Sequence, residues 1–179
     1  IDTHKNEPFF LYLAHNMPHV PIYASEDFLG TSERGLYGDV IQEIDWSVGQ
    51  IIKKLESLKL LENTLIVFTS DNGCAGYIGG ACSNAPHSGF KRYHQEGGIR
   101  VPFIVSWPKT LPANSIYKQP VSVLDLYETF RAASGDKTPE SEDSNVRDSV
   151  NLIPYVADQK KEAPHQYLYW RSGPTKAIR

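Results

Sequence analysis

Apolar side chains recur every three or four positions between residues 37 and 58, the spacing that places side chains on one face of an α-helix. This face comprises Val40, Ile41, Ile44, Val48, Ile51, Ile52, Leu55 and Leu58. A second helical spacing extends from residue 125 to residue 133, with Asp125 as a candidate N-cap and Gly135 just past the end. The pattern therefore predicts one long amphipathic helix and one short helix.

Continuous apolar runs alternate with these helical segments, and such runs are typical of strands buried on both faces of a parallel sheet. The runs cover residues 8–14, 65–68 and 103–107, and residues 167–171 are a further candidate strand. We expect the long helix to be a right-handed crossover that joins the first two strands in one parallel sheet. The sequence thus predicts an α/β fold, with a mixed, mostly parallel sheet flanked by helices.

The composition narrows the classes of partner. The 179 residues are 40% hydrophobic, enough for one core, and the net charge of -3 comes without any run of Lys or Arg. Nucleic acid and membrane surfaces are therefore not expected as partners, and no apolar stretch reaches the ~18 residues that span a bilayer. Because Met17 is the only methionine and the chain starts at Ile1, we expect a fragment or a processed piece of a longer protein.

Cys74 and Cys82 are the only cysteines and lie eight residues apart in a segment rich in Gly, Ser and Asn. This spacing allows a small disulfide loop, and two free thiols are equally compatible with it. A zinc site is disfavoured, because a short Cys-x-x-Cys spacing and a matching pair of His residues are both missing. The segment of residues 76–89 is longer than a tight connection, which is typical of a functional loop.

Asp71 and Asn72 follow directly after the apolar run of residues 65–68, and Gly73 permits a sharp exit from that strand. Two adjacent oxygen ligands at the carboxyl end of a buried strand suit a hard cation such as calcium or magnesium. The alternative is a plain strand-to-turn junction, in which both side chains bond nearby backbone amides. The two residues are therefore candidate metal ligands.

His19 and Lys91 are the other candidate site residues. His19 follows the first predicted strand, and Lys91 follows the long loop, five residues before the motif Glu96-Gly97-Gly98-x-Arg100-x-Pro102. Taken singly, His19 could be a turn residue between prolines that bonds the backbone, and Lys91 could be a solvated surface residue. Their order along the chain, together with the Asp-Asn pair, is far more specific than any one of these features.

This ordered set of motifs resembles the sulfatases of the alkaline phosphatase superfamily, in particular the branch that contains arylsulfatase A and N-acetylgalactosamine-6-sulfatase. The resemblance extends from about residue 8 to residue 108. It rests on residues 18–25, 28–39, 43–49 and 70–73, and on the spacing of Lys91 to Glu96. It implies that the chain is the C-terminal portion of a sulfatase with a partial alkaline phosphatase-like fold.

The resemblance implies a metal role for the Asp-Asn pair. Asp71 and Asn72 would supply half of a calcium site, with magnesium possible, whose ion holds the sulfate oxygens and the nucleophile in place. Superfamily phosphatases that use zinc tend to carry His where Asn72 stands, and an amide oxygen selects a harder ion than an imidazole does. The asparagine therefore favours sulfate esters.

The resemblance also assigns roles to the charged residues. Lys91 would bind the sulfate and stabilise the charge that develops on the bridging ester oxygen. His19 would bind the sulfate and assist proton delivery to the leaving alcohol, which suits an imidazole. We expect Glu96 and Arg100 to form a buried ion pair or to anchor the backbone of the loop.

The nucleophile of the family is a formylglycine made from the Cys or Ser of a Cys/Ser-x-Pro/Ala-x-Arg segment, and no such segment surrounds Cys74 or Cys82. By the family pattern it lies upstream of this chain, with two further acidic metal ligands. The full-length protein is then expected to be a sulfuric ester hydrolase that acts on sulfate monoesters of a sulfated sugar. These residues alone are expected to be inactive.

Two alternatives stay open at this stage: a phosphate or phosphonate monoester hydrolase of the same superfamily, and a non-catalytic relative that binds sulfated glycans. The family implies a periplasmic, secreted or lysosomal location. We expect residues 1–135 to belong to the catalytic α/β domain. Residues 136–179 would comprise a polar surface loop, over residues 136–147, and the start of a C-terminal subdomain.

Overall fold

A computed structural model describes residues 1–136 and 148–179, so that most of the predicted polar surface loop lies outside the described residues. The helices are α1 (Gly35–Ser57), α2 (Glu96–Ile99), α3 (Leu126–Ala133) and α4 (Ile153–Val156), and the strands are β1 (Ile66–Thr69), β2 (Phe103–Ser106), β3 (Tyr169–Ser172) and β4 (Thr175–Ile178). The chain forms two compact units. Unit one contains residues 1–61 and 68–104, and unit two contains residues 62–67 and 105–179.

The long amphipathic helix predicted from the spacing is confirmed as α1. Val40 and Leu55 are buried on its inner face. Its end is closed by two backbone bonds, from Lys59 N–H to the Glu56 carbonyl at 2.9 Å and from Leu60 N–H to the Leu55 carbonyl at 2.8 Å. This pairing satisfies carbonyls that have no partner within the helix, and it requires the left-handed backbone that Lys59 adopts, with φ of 58°.

A buried carboxylate ties the start of α1 to the preceding loop. Asp39 is 1% exposed, and its oxygens accept hydrogen bonds from Gly30 N–H at 2.9 Å and from Ser32 N–H at 2.7 Å. Gly38 lies so close to this loop that a Cβ would come within 2.0 Å of Ser32 Oγ. The loop and the first turns of the helix are therefore held together by polar bonds and by close contact.

The strand predictions have two outcomes. β1 and β2 confirm strands at the runs 65–68 and 103–107 and pair in a two-stranded sheet, but they are not buried on both faces, because Phe68 and Ile104 are 38% and 60% exposed. The prediction that residues 8–14 form a doubly buried strand is wrong for this structure, because they form no strand, and Phe10 and Tyr12 are 72% and 80% exposed. The crossover that needed this strand is consequently not formed. An apolar run reports a tendency to be buried, but it does not say which strand supplies the hydrogen-bonding partner.

Unit two contains a hairpin and a short helical cluster. β3 and β4 pair antiparallel, with Tyr169 opposite Ile178 and Ser172 opposite Thr175, which confirms the strand predicted near residues 167–171. The core of the cluster is Leu152, whose N–H donates to Thr129 Oγ1 at 3.0 Å. No helix among the described residues is long and apolar enough to cross a membrane.

The short helix α3 is confirmed, but its cap differs from the prediction. Ser122 is the capping residue: its Oγ accepts from Leu124 N–H at 3.2 Å, and the Asp125 carboxylate accepts from Ser122 N–H at 2.8 Å. This is a capping box in which Asp125 occupies the third helical position instead of the N-cap. A helical turn at Val123–Asp125 starts the helix earlier than the apolar spacing indicated.

Candidate active site

The turn after β1 presents two oxygen donors. Ser70 Oγ donates to the Asn72 carbonyl at 2.9 Å and closes the turn, and Asn72 Nδ2 donates to the Gly73 carbonyl at 3.0 Å. This use of the amide nitrogen leaves Asn72 Oδ1 as an acceptor. The exposed Asp71 carboxylate has no hydrogen-bond or ion-pair partner among the described residues. Both oxygens are therefore available to a ligand.

Three glycines let the backbone segments behind this turn approach one another. Gly73 N–H donates to the Gly98 carbonyl at 3.0 Å, and a Cβ on Gly73 would lie 1.9 Å from the Gly97 carbonyl oxygen. A Cβ on Gly98 would likewise lie 2.1 Å from the Tyr93 carbonyl oxygen. Real Cβ atoms do not come this close to backbone, so the contact explains why glycine stands at these positions.

Asn84 and a disulfide organise the loop between these segments. Asn84 Oδ1 accepts from Cys74 N–H at 2.8 Å, and Asn84 Nδ2 donates to the carbonyls of Cys74 at 3.3 Å and Gly89 at 2.9 Å. Cys74 and Cys82 form a disulfide, with their Cα atoms 5.9 Å apart, which decides the alternative that the spacing left open. The loop is thereby closed covalently and bonded at its base.

Lys91 lies on the loop of residues 73–98, beside the Asp-Asn turn. Its N–H donates to the Cys74 carbonyl at 2.9 Å, so its backbone lies next to a residue only two positions after Asn72. The side chain is partly buried and its ammonium has no carboxylate partner among the described residues. Arg92 beside it is exposed. An ammonium without a counter-ion is available to an anionic ligand.

His19 is exposed, and its two ring nitrogens have different surroundings. Nδ1 lies 2.8 Å from the Val20 carbonyl oxygen. Because a carbonyl only accepts, Nδ1 must carry the proton of this bond, and Nε2 of the neutral ring is then an acceptor. The Tyr77 hydroxyl lies 3.4 Å from Nε2. The ring therefore presents its Nε2 edge away from its own loop.

All the candidate residues predicted from the sequence lie in unit one, on or against the loop of residues 73–98. The Asp-Asn pair enters that loop, Lys91 is bonded to Cys74, and His19 meets Tyr77. Over residues 1–136 and 148–179, no hydrogen bond or ion pair joins two of these side chains. The same residues contain no group of three or more His, Cys, Asp or Glu that could hold a metal ion.

The prediction that Glu96 and Arg100 form a buried ion pair is wrong, because the pair is exposed. Arg100 Nη1 does lie 3.3 Å from Glu96 Oε2, but the two side chains are 57% and 36% exposed. Glu96 is the first residue of α2 and Arg100 directly follows its last, and both side chains are open to solvent. Exposed pairs of this kind contribute little to stability, of the order of 0–1 kcal/mol.

Sequence reasoning missed Tyr77, Asn84 and Asp39. Asn84 lies in Ser83-Asn84-Ala85-Pro86, a pattern that indicates a turn but not that its amide bonds residues ten positions away. Tyr77 carries no local signal, because its contact with His19 depends on how two distant loops fold. Asp39 stands in a helical pattern that does not reveal its burial.

Comparison with known proteins identifies the protein family of the chain. A protein-family model described as Sulfatase matches residues 1–135. The chain belongs to the sulfatase family. Over 176 residues it is 44% identical to N-acetylgalactosamine-6-sulfatase of Canis lupus familiaris, covering 96% of this chain and 32% of that protein. It is 37% identical over 176 residues to steryl-sulfatase of Homo sapiens, covering 94% of this chain and 30% of that protein.

A solved structure extends the likeness to the fold. Ps i-CgsB, in complex with k-i-k-neocarrahexaose, superposes with a TM-score of 0.83 at 35% identity, over 99% of this chain and 41% of that chain. The structural neighbours are sulfatases of the alkaline phosphatase-like fold, which confirms the predicted fold class. The chain spans about a third of the length of the curated relatives it matches.

Proposed function

We propose that the protein carrying this chain is a sulfuric ester hydrolase that hydrolyses sulfate monoesters of carbohydrates. The observation that carries the proposal is the set of groups on or against the loop of residues 73–98: the Lys91 ammonium without a carboxylate partner, the exposed His19 ring, and the oxygens of Asp71 and Asn72. These groups match what a sulfate ester requires, namely a cation, a proton donor and ligands for a second cation. The name N-acetylgalactosamine-6-sulfatase of a relative supports a sugar substrate.

The chain's own residues would act on the leaving-group side of the ester. Lys91 would place its ammonium at a sulfate oxygen and at the bridging oxygen, where negative charge grows as the S–O bond breaks. In its imidazolium form, His19 would deliver a proton from Nε2 to the departing alcohol, because the Nδ1 proton is committed to the Val20 carbonyl. The backbone bond from Lys91 to Cys74 would fix the position from which the lysine reaches.

The oxygens of Asp71 and Asn72 fit a hard cation, because neither nitrogen nor sulfur belongs to the set and Asn72 Oδ1 is left free by the bond of its amide nitrogen. We assign the ion as calcium, with magnesium as the alternative. When bound, it would offset the charge of the sulfate group. The remaining carboxylate ligands would come from outside residues 1–179.

We place the formylglycine nucleophile outside these residues as well. The chain has no Cys/Ser-x-Pro/Ala-x-Arg segment around its cysteines, and both cysteines are joined in a disulfide, so neither offers a thiol for conversion. Residues 1–179 alone are then inactive. We also propose that residues 1–135 belong to the catalytic domain and that residues 136–179 begin a C-terminal subdomain.

The disulfide supports a periplasmic, secreted or lysosomal location, because disulfides persist in oxidising compartments. The net charge of -3 without a basic run does not fit nucleic acid as the partner.

Paired assays of the full-length protein test the proposal. Nitrophenyl sulfate and a 6-sulfated N-acetylgalactosamine are compared with the matching phosphate and phosphonate monoesters, with and without chelator. We expect turnover of the sulfates and loss of activity on chelation. Faster turnover of the phosphate or phosphonate esters would replace the proposal with the phosphohydrolase alternative. Binding of the sulfated sugar without turnover, in a protein lacking the formylglycine segment, would replace it with the glycan-binding alternative.

A further inference from the structure

We propose that Tyr77 is a positioning residue for His19, and that the disulfide between Cys74 and Cys82 holds the loop that carries it. The inference rests on the proposed function, because it concerns the same histidine, and it adds a part of the site that the predicted residues do not include. The loop of residues 74–82 would then line the leaving-group side of the site, and the disulfide would hold this loop in position.

The contact between Tyr77 and His19 joins two distant loops. Tyr77 lies on the helical turn Gly76–Ile78, and its hydroxyl is 3.4 Å from Nε2 of His19. The two rings meet edge to face, with centroids 6.5 Å apart and planes inclined at 63°. Nε2 has no other hydrogen-bond partner among the described residues. The tyrosine thus fixes the one edge of the ring that the Val20 carbonyl does not hold.

The chemistry of the two partners gives this contact a direction. With the Nδ1 proton donated to the Val20 carbonyl, neutral His19 has a lone pair at Nε2, and the Tyr77 hydroxyl donates to it. For the proposed reaction the exposed ring first takes up a proton from solvent at Nε2 and becomes an imidazolium, and this proton moves to the leaving oxygen as the S–O bond breaks. The neutral ring that results is the form that Tyr77 can bond. Tyr77 therefore keeps the imidazole oriented between turnovers and yields Nε2 to the leaving-group oxygen when substrate enters.

The loop that carries Tyr77 needs its disulfide to keep this position. Directly after the turn stand Gly79 and Gly80, with φ of 62° and 83°, and glycine pairs leave a free chain many conformations. The disulfide closes the loop across them, and on the other side Asn84 bonds both backbone groups of Cys74. Opening the disulfide would release Tyr77, while the Asn84 bonds would keep the base of the loop in place.

A leaving-group comparison in the full-length enzyme tests the positioning role. We expect Tyr77→Phe to lower kcat for the 6-sulfated sugar about tenfold, a fraction of the ~10²–10⁴ that general acid catalysis contributes, with little change in KM. Turnover of nitrophenyl sulfate should stay near wild type, because nitrophenolate departs without a proton. Tyr93→Phe is the matched control, because Tyr93 is an exposed tyrosine on the larger loop of residues 73–98 outside the disulfide, and this change should leave the turnover of both substrates unaffected. Equal losses on both substrates, or none, would overturn the inference.

A second readout does not require turnover. In full-length protein labelled with 15N-histidine, the Nε2 resonance of His19, assigned through His19→Gln, should shift in Tyr77→Phe and in the Cys74→Ser/Cys82→Ser double variant, but not in Tyr93→Phe. An unchanged resonance in Tyr77→Phe would refute the contact even in an active enzyme. A shifted resonance in a protein that hydrolyses no sulfate ester would sustain the contact and reject only the proposed function.

Discussion

Two aspartates, one in each unit, differ in burial and in hydrogen bonding. In unit two, fully buried Asp125 accepts from Ser122 N–H at 2.8 Å and from Val150 N–H at 3.0 Å, and both its oxygens lie 2.9 Å from His165 Nε2. In unit one, Asp71 is exposed and bonds no described residue. A carboxylate with all its partners inside the fold stabilises that fold, whereas one without partners can serve a ligand. The contrast makes Asp71, and not Asp125, the candidate ligand-binding acid.

Removing the buried carboxylate should give the largest effect. Asp125→Ala leaves His165 and the amides of Ser122 and Val150 without their acceptor, and we expect a loss of about 3–5 kcal/mol in the free energy of unfolding. Urea denaturation measures it. Asp125→Asn retains one acceptor oxygen and should lose less, while Asp71→Ala should leave the midpoint unchanged. A large stability loss in Asp71→Ala would break the comparison.

Lys91 in unit one should show the reverse pattern, a loss of activity without a loss of stability. Lys91→Ala removes the unpaired ammonium, and we expect kcat on sulfate esters to fall about 10²–10³-fold, the size of a lost charge-stabilising donor, with an unchanged melting temperature. Lys53→Ala, an exposed lysine on α1, serves as the control and should match wild type in both measurements. A stability loss without loss of turnover in Lys91→Ala would mean that the ammonium is structural.

The close backbone contact behind the Asp-Asn turn can be tested by adding a single methyl group. Gly73→Ala would bring Cβ to 1.9 Å from the Gly97 carbonyl oxygen, and the displacement needed should cost about 1–3 kcal/mol of unfolding free energy. The control is Gly49→Ala on α1, where nothing lies within 4 Å of the new Cβ. That change should stabilise the protein by up to about 1 kcal/mol, because alanine favours the helix. Equal effects in thermal melts would contradict the assigned packing.

Tyr117 in unit two should give the smallest effect. Burial raises the pKa of its hydroxyl, and nearby Tyr155 and Glu162 raise it further. The folded state thus holds the proton more tightly than the unfolded chain, so this contribution to stability is present below the ordinary pKa of 10.0 and is lost as the pH rises above it. Tyr117→Phe should therefore lose less unfolding free energy than the wild type does as the pH rises above 10.0.

The same variant should also gain stability at neutral pH. The Tyr117 hydroxyl is buried without a hydrogen-bond partner in the described structure, so its removal should add about 1 kcal/mol. Urea midpoints at pH 7 and above pH 10 measure both effects. A loss at pH 7 would show that the hydroxyl has a partner.

The sequence predicted the elements that leave a clear apolar pattern along the chain. The helix at Gly35–Ser57 follows from apolar spacing, because burial of one helix face leaves a periodic pattern, and the strands at Ile66–Thr69 and Phe103–Ser106 follow from short continuous apolar runs. Residues 8–14 show the limit, since the pattern cannot identify a partner strand. The spacing of Cys74 and Cys82 permitted a disulfide without requiring one.

The residue types of the candidate site could be predicted because their order and spacing along the chain resemble those of the sulfatases. His19 and Lys91 were found in this way, and their roles stay predictions. The groups that support them could not be found, because Asn84 and Tyr77 act through bonds across ten and 58 residues that only the folded loops create. A local sequence pattern carries no information about contacts between residues so far apart in the chain.

The exposed segment around Phe10 and Tyr12 has a consequence for the behaviour of this chain in solution. Residues 9–14 combine aromatic and aliphatic side chains without charge, proline or glycine, and this composition is typical of segments that stack into intermolecular β-structure. In isolation the chain therefore carries its own nucleus for aggregation. Its colloidal stability depends on whether a neighbouring strand covers this segment before a second copy does.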